Sequence, residues 1–395
     1  MGTPVGDLLD ALAPVGRDSG TGGYRRFAWT GADAELGEWF AGECAARGLD
    51  VVGDRAGNLW AWWGDPDSAP GLVLGSHLDS VPDGGAYDGP LGVVSALAAL
   101  DLLREKGFAP RRPLGVAVFR DEEGARFGVA CAGSRLLTGT LAAGTALGLR
   151  DADGVTMGEA MRSSGHDPGL VGRDEEALRR VGTYLELHVE QGRGLADLGA
   201  AVGVGSGIWP HGRWRLDLRG RADHAGTTRL SDRDDPMLVL AEAIQVARGA
   251  AAAHGALATI GKVRVLPGAV NAIPSSVTAW LDARGAEPGA VRAVVAAVSG
   301  AAGCAAVEES WTPPVAFDAD LAARLAGVVG PGGPAPVLAT GAGHDAGVLA
   351  AAGVPAGMLF VRNPTGVSHS PAEHAEPADC EAGAVALARA VEELA

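Results

Sequence analysis

The stretch GVAVFRDEEGARF, residues 115–127, carries an apolar run directly into three acids and a glycine. Val116 to Phe119 has the composition of a buried strand, and the acids stand at its carboxyl end. Further apolar strands are predicted at GLVLGSH, TYLELHV and GMLFV, and they alternate with helices such as Leu91 to Lys106. Nearly continuous apolar strands that alternate with helices predict an α/β fold, with a mostly parallel sheet covered by helices on both faces.

The pattern changes after the glycine-rich stretch VGVGSGIWP, residues 202–210, which suits a hinge or a domain boundary. The elements predicted beyond it follow the order strand, helix, strand, strand, helix, strand. Such a unit builds a four-stranded antiparallel sheet with two helices on one face. Because the α/β pattern then returns, we predict a catalytic domain of residues 1–207 and 314–395, with an α+β lid and dimerisation domain inserted at 208–313.

Composition and charge argue against several classes of protein. The formal charge is −16 and the arginines form no dense basic cluster, so we expect no nucleic-acid or membrane partner. No apolar run is long enough to cross a bilayer, and no targeting signal is evident. The four cysteines lie far apart, which fits reduced thiols in a cytoplasmic protein better than a disulfide framework or a metal cluster.

The candidate ligands share one property, a position after a predicted strand: His77, Glu122, Glu123, His188 and His369. Loops that leave the carboxyl ends of parallel strands converge on one crevice, so we expect these side chains to meet. Asp88 lies in a glycine-rich loop that can reach the same point. Asp79 is placed to accept a hydrogen bond from the second ring nitrogen of His77, as partners of ligating histidines do.

The clustered acids indicate bound cations. Two carboxylates 4 Å apart repel each other by roughly 4 kcal/mol at an effective dielectric constant of about 20. Histidines combined with carboxylates suit Zn²⁺, Mn²⁺, Co²⁺ or Ni²⁺. The set is large enough for two ions that share a bridging carboxylate. One of Glu122 and Glu123 is then expected to bind metal, while the other remains free as a general base.

Two other chemistries fit less well. The stretch GAGHDA, residues 341–346, matches the glycine pattern of dinucleotide-binding folds if alanine is allowed at its last position. However, no acid stands near the expected offset of about 20 residues. The sequence also has no GxSxG motif and no cysteine beside a plausible histidine, which disfavours a serine or thiol hydrolase.

The predicted inserted domain offers three further polar candidates, His224, Asn271 and Arg284. Without a metal site they would be read as a polar loop and a strand-end charge. With a metal site, the arginine and asparagine would suit a substrate carboxylate, and the histidine would suit an oxyanion.

Seven blocks of the sequence resemble the amidase, hydantoinase and carbamoylase branch of the dinuclear metallopeptidases related to aminoacylase. They occur in the family's order from about residue 20 to residue 392: GSHLDSVPDGGAYDGPLGV, FRDEEGARFG, LELHVEQG, ADHAGTT, PGAVNAIPSSVTAWLDAR, TGAGHDA and GVSHSPAE. The resemblance implies hydrolysis of a linear amide bond in a small carboxylate-bearing substrate, with allantoate or an N-carbamoyl-L-amino acid favoured. The alternatives are an N-acyl or N-formyl amino-acid deacylase or peptidase of the same superfamily and, more remotely, a non-catalytic binding protein.

The resemblance also implies roles for individual residues. His77 and His188 would hold one divalent ion, Glu123 and His369 the other, with Asp88 shared between them. Glu122 would be the general base and Asp79 would orient His77. The implied substrate contacts are Asn271 and Arg284 at the carboxylate, with Gln191, His344 and Asp345 at the ureido or amide group. His224 would assist at the oxyanion, usually from the partner subunit of a homodimer joined through the inserted domain.

The stretch FVRNPTGVSH departs from the family, because Arg362 and Asn363 stand where relatives commonly have proline and serine. Arg229 likewise replaces a common proline. Our hypothesis is that Arg362 lies near the distal end of the substrate and selects a second polar or anionic group. Allantoate or an N-acylated acidic amino acid would then be preferred over a plain aliphatic carbamoyl amino acid.

Overall fold

The structure is a computed structural model that describes residues 3–330 and 332–395. The chain divides into two compact units, one formed by the residues up to Gly207 and from Ala316 onward, the other by Ile208–Val315. These bounds lie within two residues of the predicted division at 208–313. Of the residues assigned to the predicted catalytic domain, Met1, Gly2 and Pro331 lie outside the described part of the chain.

The helices of the described residues are α1 (Val5–Leu12), α2 (Gly31–Ala46), α3 (Pro90–Glu105), α4 (Ala132–Thr138), α5 (Ala143–Gly148), α6 (Met157–Ser163), α7 (Glu175–Arg180), α8 (Gly194–Leu198), α9 (Pro236–His254), α10 (Pro288–Ala302), α11 (Ala319–Val329), α12 (Asp345–Ala351) and α13 (Pro377–Leu394). The strands are β1 (Val51–Gly53), β2 (Leu59–Trp63), β3 (Gly71–His77), β4 (Leu114–Phe119), β5 (Val181–Val189), β6 (Val202–Ile208), β7 (His211–Arg219), β8 (Asp223–His224), β9 (Ala256–Leu266), β10 (Ala272–Ile273), β11 (Ser276–Gly285), β12 (Val307–Thr312), β13 (Val315–Ala316), β14 (Val337–Thr340) and β15 (Ala356–Val361).

The first unit is built on a mixed sheet with the strand order β1-β2-β4-β3-β5-β15-β6-β13, and β14 also pairs with β6. Its four central strands, β4, β3, β5 and β15, run parallel to one another. Strands β3, β4 and β15 are buried along their whole length. This burial explains their continuous apolar sequences, because such strands are covered on both faces. The predicted α/β class is confirmed.

Helix α3 places the ligand-bearing loop against the sheet. Twelve of its residues are buried, and it packs directly on β5, because a Cβ at Gly92 would lie 2.2 Å from the carbonyl oxygen of Leu187. The residue before the helix, Gly89, has a φ of 86°. A Cβ there would lie 2.4 Å from the imidazole of His77. Only glycine fits this turn, which brings the preceding residue, Asp88, beside the end of β3.

The second unit has a four-stranded antiparallel sheet with the order β12-β7-β11-β9. Alternate residues of β11 are buried. They form one apolar cluster with buried residues of β7, α9 and α10, so both helices cover the same face of the sheet. This arrangement confirms the predicted sheet and its two helices. A short ladder between β8 and β10, which the sequence pattern did not predict, joins His224 to Ala272.

The glycine-rich stretch predicted as a hinge or boundary forms a strand over most of its length. Val202–Ile208 is β6, is mostly buried, and pairs antiparallel with β15. Its glycines allow close packing, since a Cβ at Gly205 would lie 2.9 Å from the Cβ of Met358. The boundary between the two units falls at the end of this strand. Among the described residues, none of the helices is both long and apolar enough to cross a bilayer.

Candidate metal centre

The parallel strands deliver the predicted ligands to one edge of the sheet. His77 is the last residue of β3 and His188 the penultimate residue of β5. Glu122 and Glu123 follow β4 within four residues, and His369 lies on the loop after β15. Because β3, β4, β5 and β15 are mutually parallel, their carboxyl ends point the same way and their side chains converge.

Two groups of side chains have potential ligand atoms within 4.8 Å of one another. The first ligand group is His77, Asp88 and His188, and the second ligand group is Asp88, Glu123 and His369. Oδ1 of Asp88 lies 3.1 Å from Nε2 of His188 and 3.6 Å from Nε2 of His77. Oδ2 of Asp88 lies 3.5 Å from Nε2 of His369. Each carboxylate oxygen of Asp88 therefore faces the histidines of a different group, so this side chain could be shared between two ions.

The donor atoms fit divalent cations. Nε2 of His77, Nε2 of His188 and Oε1 of Glu123 are buried without a well-aligned hydrogen-bond partner. The other ring nitrogen of each buried histidine faces a backbone carbonyl: Nδ1 of His77 lies 3.1 Å from the oxygen of Asp79, and Nδ1 of His188 lies 2.8 Å from that of Val189. A proton on Nδ1 leaves the Nε2 lone pair free for a metal. Nitrogen and carboxylate donors together suit Zn²⁺ and its neighbours in the first transition row.

The charges at this edge of the sheet favour a bound cation. Burial raises the pKa of Glu123 well above its ordinary value, and the nearby Asp88 raises it further. Burial also raises the pKa of Glu122, while His77 acts in the opposite direction. For Asp88, burial is outweighed by His188 and His77, which hold the pKa of its carboxyl well below the ordinary range. Several buried acids thus lie close together, with the two histidines as the main groups that favour their ionised form.

Asp79 braces two parts of the site at once. Its Oδ1 lies 3.5 Å from Nδ1 of His77, farther than its own backbone carbonyl oxygen at 3.1 Å, so the predicted orienting contact of the carboxylate stays a prediction. The same carboxylate accepts the backbone N–H of Glu122 at Oδ1 and that of Glu123 at Oδ2, at 3.1 and 3.0 Å. The second contact was not predicted. Asp79 therefore fixes both the histidine at the end of β3 and the backbone of the acids after β4.

Glu122 lies beside the ligand groups without belonging to either. Its side chain is buried, and Oε2 lies 3.9 Å from Nε2 of His77. The thiol of Cys131 donates to Oε1 across 3.4 Å. The third acid of the run, Asp121, has a left-handed φ of 57° and two buried carboxylate oxygens without partners. One acid of the run thus joins a ligand group and one remains free next to it.

Gln191 and His344 lie next to the ligands, whereas Asp345 is enclosed. Nε2 of Gln191 donates to Oδ2 of Asp88 at 2.8 Å and to Oγ of Ser368 at 3.1 Å. The rings of His344 and His188 lie 4.5 Å apart. Asp345 is completely buried at the start of α12 and accepts a hydrogen bond from Ser134. In this structure Asp345 therefore contacts the protein interior rather than an open pocket.

The second unit carries the other three predicted residues. His224 is exposed on β8, and its Nδ1 accepts the backbone N–H of Gly226 at 3.0 Å. The carbonyl of Asn271 accepts the N–H of Ala225, so the β8–β10 ladder brings His224 and Asn271 together. Arg284 lies on β11 and forms a bidentate pair with Asp282, at 2.7 and 3.1 Å. Their roles toward a substrate remain predictions.

Arg362 has a partner inside the first unit. Its Nε and Nη2 donate to the two carboxylate oxygens of Asp379 at 2.8 and 2.9 Å. The Asp379 carboxylate is buried and lies in the first turn of α13. The pairing accounts for an arginine at this position without any substrate. Selection of the substrate by Arg362 therefore remains a hypothesis.

Sequence reasoning missed two buried acids near the ligands. Oε2 of Glu373 accepts the backbone N–H groups of Tyr87 and Asp88. Glu186, on β5, accepts the N–H of Ala346 at 2.9 Å and the hydroxyl of Ser76 at 3.0 Å. A signal existed for Glu186, because a charged residue interrupts the apolar run LELHV. Glu373 is the last residue of the quoted block GVSHSPAE, four residues after His369, but it was given no role.

Comparison with known proteins places this fold and site in a defined class. The model of peptidase family M20/M25/M40 matches residues 73–393, and the chain belongs to that family and is a hydrolase. It is 37% identical over its whole length to an N-carbamoyl-L-amino acid amidohydrolase of Geobacillus stearothermophilus, 99% of which is covered. It is 32% identical to an allantoate amidohydrolase of Bacillus subtilis strain 168, with 99% of this chain and 97% of that protein covered.

The solved structures agree. A hydantoinase/carbamoylase family amidase from Burkholderia vietnamiensis superposes with a TM-score of 0.88 at 29% identity, covering 98% of this chain and 95% of that one. The family resemblance predicted from the seven sequence blocks is confirmed.

Proposed function

We propose that the chain is a metal-dependent amidohydrolase that cleaves a linear ureido or carbamoyl C–N bond in a small substrate bearing a carboxylate. Allantoate and N-carbamoyl-L-amino acids are the favoured substrates. The observation that carries the proposal is a buried free acid, Glu122, beside two ligand groups that share Asp88. The similar proteins named for amidohydrolysis of these compounds support the choice of bond.

Two divalent ions per subunit complete the proposal, with Zn²⁺, Mn²⁺, Co²⁺ and Ni²⁺ all suited to the donors. His77, His188 and Asp88 would hold one ion, and Asp88, Glu123 and His369 the other. Such ions supply Lewis acidity toward a substrate carbonyl oxygen and toward water.

Glu122 performs the proton transfers in this proposal. Its carboxylate takes a proton from the attacking water and later delivers it to the leaving nitrogen, because it is close to the ligands but not engaged by them. Asp79 fixes the backbone from which Glu122 projects. Hydrolysis of a carbamoyl group consumes water and yields carbon dioxide, ammonia and an amine or amino acid.

Substrate contacts are proposed in both units. Gln191 and His344 lie beside the ligands and suit the polar atoms of a ureido or amide group. Asn271 and Arg284 are proposed to bind the substrate carboxylate, since the guanidinium fork matches carboxylate geometry. His224 is proposed to donate to the oxyanion. These three residues belong to the second unit, so their roles depend on its position during catalysis.

We also propose a homodimer joined through the second unit. Strand β9 is an edge strand of eleven residues that pairs only with β11 in the described sheet. Leu257, Val263 and Leu266 are exposed along it, and Leu238 is 70% exposed on α9. A long apolar edge is normally covered, because it presents unpaired backbone groups to other chains. Light scattering should show a dimer that Val263→Lys with Leu238→Lys dissociates. Leu198→Lys, at an exposed position of α8 in the first unit, should leave the dimer intact.

The function is tested by measuring ammonia and amine release from allantoate, N-carbamoyl-L-amino acids, 3-ureidopropionate and N-formyl-L-glutamate. We expect ammonia release from the first two classes, and none from metal-stripped protein. Release of amine without ammonia, on the formyl substrate alone, would replace the proposal with a deacylase. Metal-loaded protein that turns over no substrate would support a non-catalytic binding protein.

A further inference from the structure

We propose that Glu373 is a positioning residue for the metal centre: its carboxylate fixes the backbone at Asp88 so that Asp88 serves both ligand groups. This inference rests on the proposed metal-dependent function. A single oxygen, Oε2 of Glu373, accepts the N–H of Tyr87 at 2.9 Å and that of Asp88 at 3.0 Å. Glu373 is 6% exposed, so these hydrogen bonds are shielded from water.

The loop that carries Asp88 needs such an acceptor. Asp88 stands between β3 and α3, immediately before the left-handed turn at Gly89. The buried N–H groups of the loop lie outside any strand ladder, and an unpaired buried N–H is costly. The two lone pairs of Oε2 of Glu373 allow this one oxygen to accept both N–H groups. Glu373 thereby holds the two peptide groups that determine where the Asp88 side chain starts.

The loop is built closely around this carboxylate. A Cβ at Gly85 would lie 2.2 Å from Oε2 of Glu373 and 2.5 Å from its Cβ, so only glycine leaves room. The rings of Tyr87 and His374 meet edge to face at 6.2 Å, which adds a second contact between the same two segments.

Glu373 also belongs to the segment that carries His369. It follows that histidine by four residues, and its own N–H bonds to the carbonyl of Ser370 at 3.0 Å. One side chain therefore links the segments of two ligands, Asp88 and His369, which both belong to the second ligand group. The two histidines of the first ligand group lie on β3 and β5, and no hydrogen bond of Glu373 reaches them. Loss of Glu373 should weaken the second group more than the first.

The test is Zn²⁺ binding to the full-length protein, measured by competition with a chromophoric chelator, with bound metal counted after dialysis. For Glu373→Ala we expect two sites of which one is about 10- to 100-fold weaker than in the wild type, the range found when a partner of a metal ligand is removed. Glu373→Gln keeps one acceptor oxygen, so its Zn²⁺ affinity at that site should lie between those of the wild type and Glu373→Ala. Gly85→Ala should weaken the same site without changing Glu373 itself.

The matched control is Glu376→Gln, an exposed glutamate three residues further on, which should bind both ions as the wild type does. Turnover of Glu373→Ala should recover toward the wild-type kcat as Zn²⁺ is raised, which a general folding defect would not allow. Unchanged affinity at both sites in Glu373→Ala, or an equal loss at both sites that excess metal does not restore, would overturn the inference. Failure of the wild type itself to bind divalent ions would instead remove the proposed metal centre, and this inference with it.

Discussion

The carboxylate of Asp79 accepts the backbone N–H of Glu122 at 3.1 Å. Its other oxygen accepts the next backbone N–H, that of Glu123. Asp79 therefore fixes the backbone from which the side chains of Glu122 and Glu123 project. The proposed roles of Glu122 as the free acid and Glu123 as a metal ligand therefore depend on Asp79, which contacts their backbone through these two hydrogen bonds. They also depend on Asp121, whose left-handed backbone turns the chain immediately before the two glutamates.

Asp79→Asn should lower kcat/KM by about 10- to 100-fold and weaken metal binding. An amide presents only one acceptor oxygen to two N–H donors, so the backbone of Glu122 or Glu123 loses its partner. Activity and bound metal are both measured. The control is Asp83→Asn, whose partly exposed carboxylate contacts Thr21 and Arg25, and which should stay within about twofold of the wild type. Equal effects of Asp79→Asn and Asp83→Asn would contradict a specific role of Asp79 in fixing the backbone of Glu122 and Glu123.

Glu122→Gln and Glu123→Gln separate the two acids. Glu122 belongs to neither ligand group, so its amide variant should keep its metal but lose about 10²- to 10⁴-fold in kcat, the usual contribution of a general base. Glu123→Gln should lose one metal ion on dialysis. Metal analysis combined with steady-state kinetics distinguishes the variants. Loss of metal from Glu122→Gln would reassign it as a ligand.

Removal of metal should lower the thermal unfolding midpoint, because buried acids then face one another without cations. A ligand present at 100 times its Kd stabilises the folded state by roughly 2.7 kcal/mol. Differential scanning calorimetry of chelated protein should show the lower midpoint, and stoichiometric metal should restore it. His188→Ala removes a ligand from the first group, so its response to metal should be smaller. An unaltered midpoint in chelated wild-type protein would show that no such stabilising ion binds.

Of the four free thiols, Cys304 should react first with a thiol reagent at pH 8. It is partly exposed, whereas the other three are buried. Burial raises the pKa of Cys44 and of Cys380 to about 12, and burial together with Glu122 raises the pKa of Cys131 well above its ordinary value. A raised thiol pKa means less thiolate, which is the reactive form. Cys304→Ser should therefore remove the fast phase, and a remaining fast phase in that variant would contradict the burial of the others.

Arg362→Ala tests the substrate hypothesis against the observed ion pair. If Arg362 selects a second polar group, kcat/KM should fall more for allantoate than for an aliphatic N-carbamoyl-L-amino acid. If the arginine only pairs with Asp379, both substrates should be affected alike, and the unfolding midpoint should fall because a buried carboxylate loses its partner. Asp379→Asn serves as the comparison, since it breaks the same pair while keeping the arginine.

Buried apolar strands were the most predictable part of the fold. The predicted strand GLVLGSH coincides with β3, and the predicted run from Val116 to Phe119 forms the end of β4. Each strand is a short apolar run with a proline next to its start. Strand β6 was predicted only as a hinge or boundary, because glycine at every second position weakens a strand signal and because its partners, including β15, are distant in sequence. The short helices α4 to α7 were not predicted either, because six or seven residues are too few to show a repeating helical pattern of apolar residues.

Part of the candidate site followed from strand order alone. His77 and His188 were recognisable because parallel strands end at the same edge. Which of the two glutamates lies outside the ligand groups was not predictable from spacing, because their backbone N–H groups are held by hydrogen bonds that they donate to the distant Asp79. Glu373 was missed for a similar reason, since its partners are two backbone N–H groups far away in the chain.

The distribution of the ligands along the chain has a consequence for biosynthesis. The second ligand group draws on residues as far apart as Asp88 and His369. A growing polypeptide therefore cannot assemble this group before residue 369 has left the ribosome, and any product truncated before that residue lacks one of the proposed ligands. An ion retained at the second ligand group would therefore report that synthesis had passed residue 369.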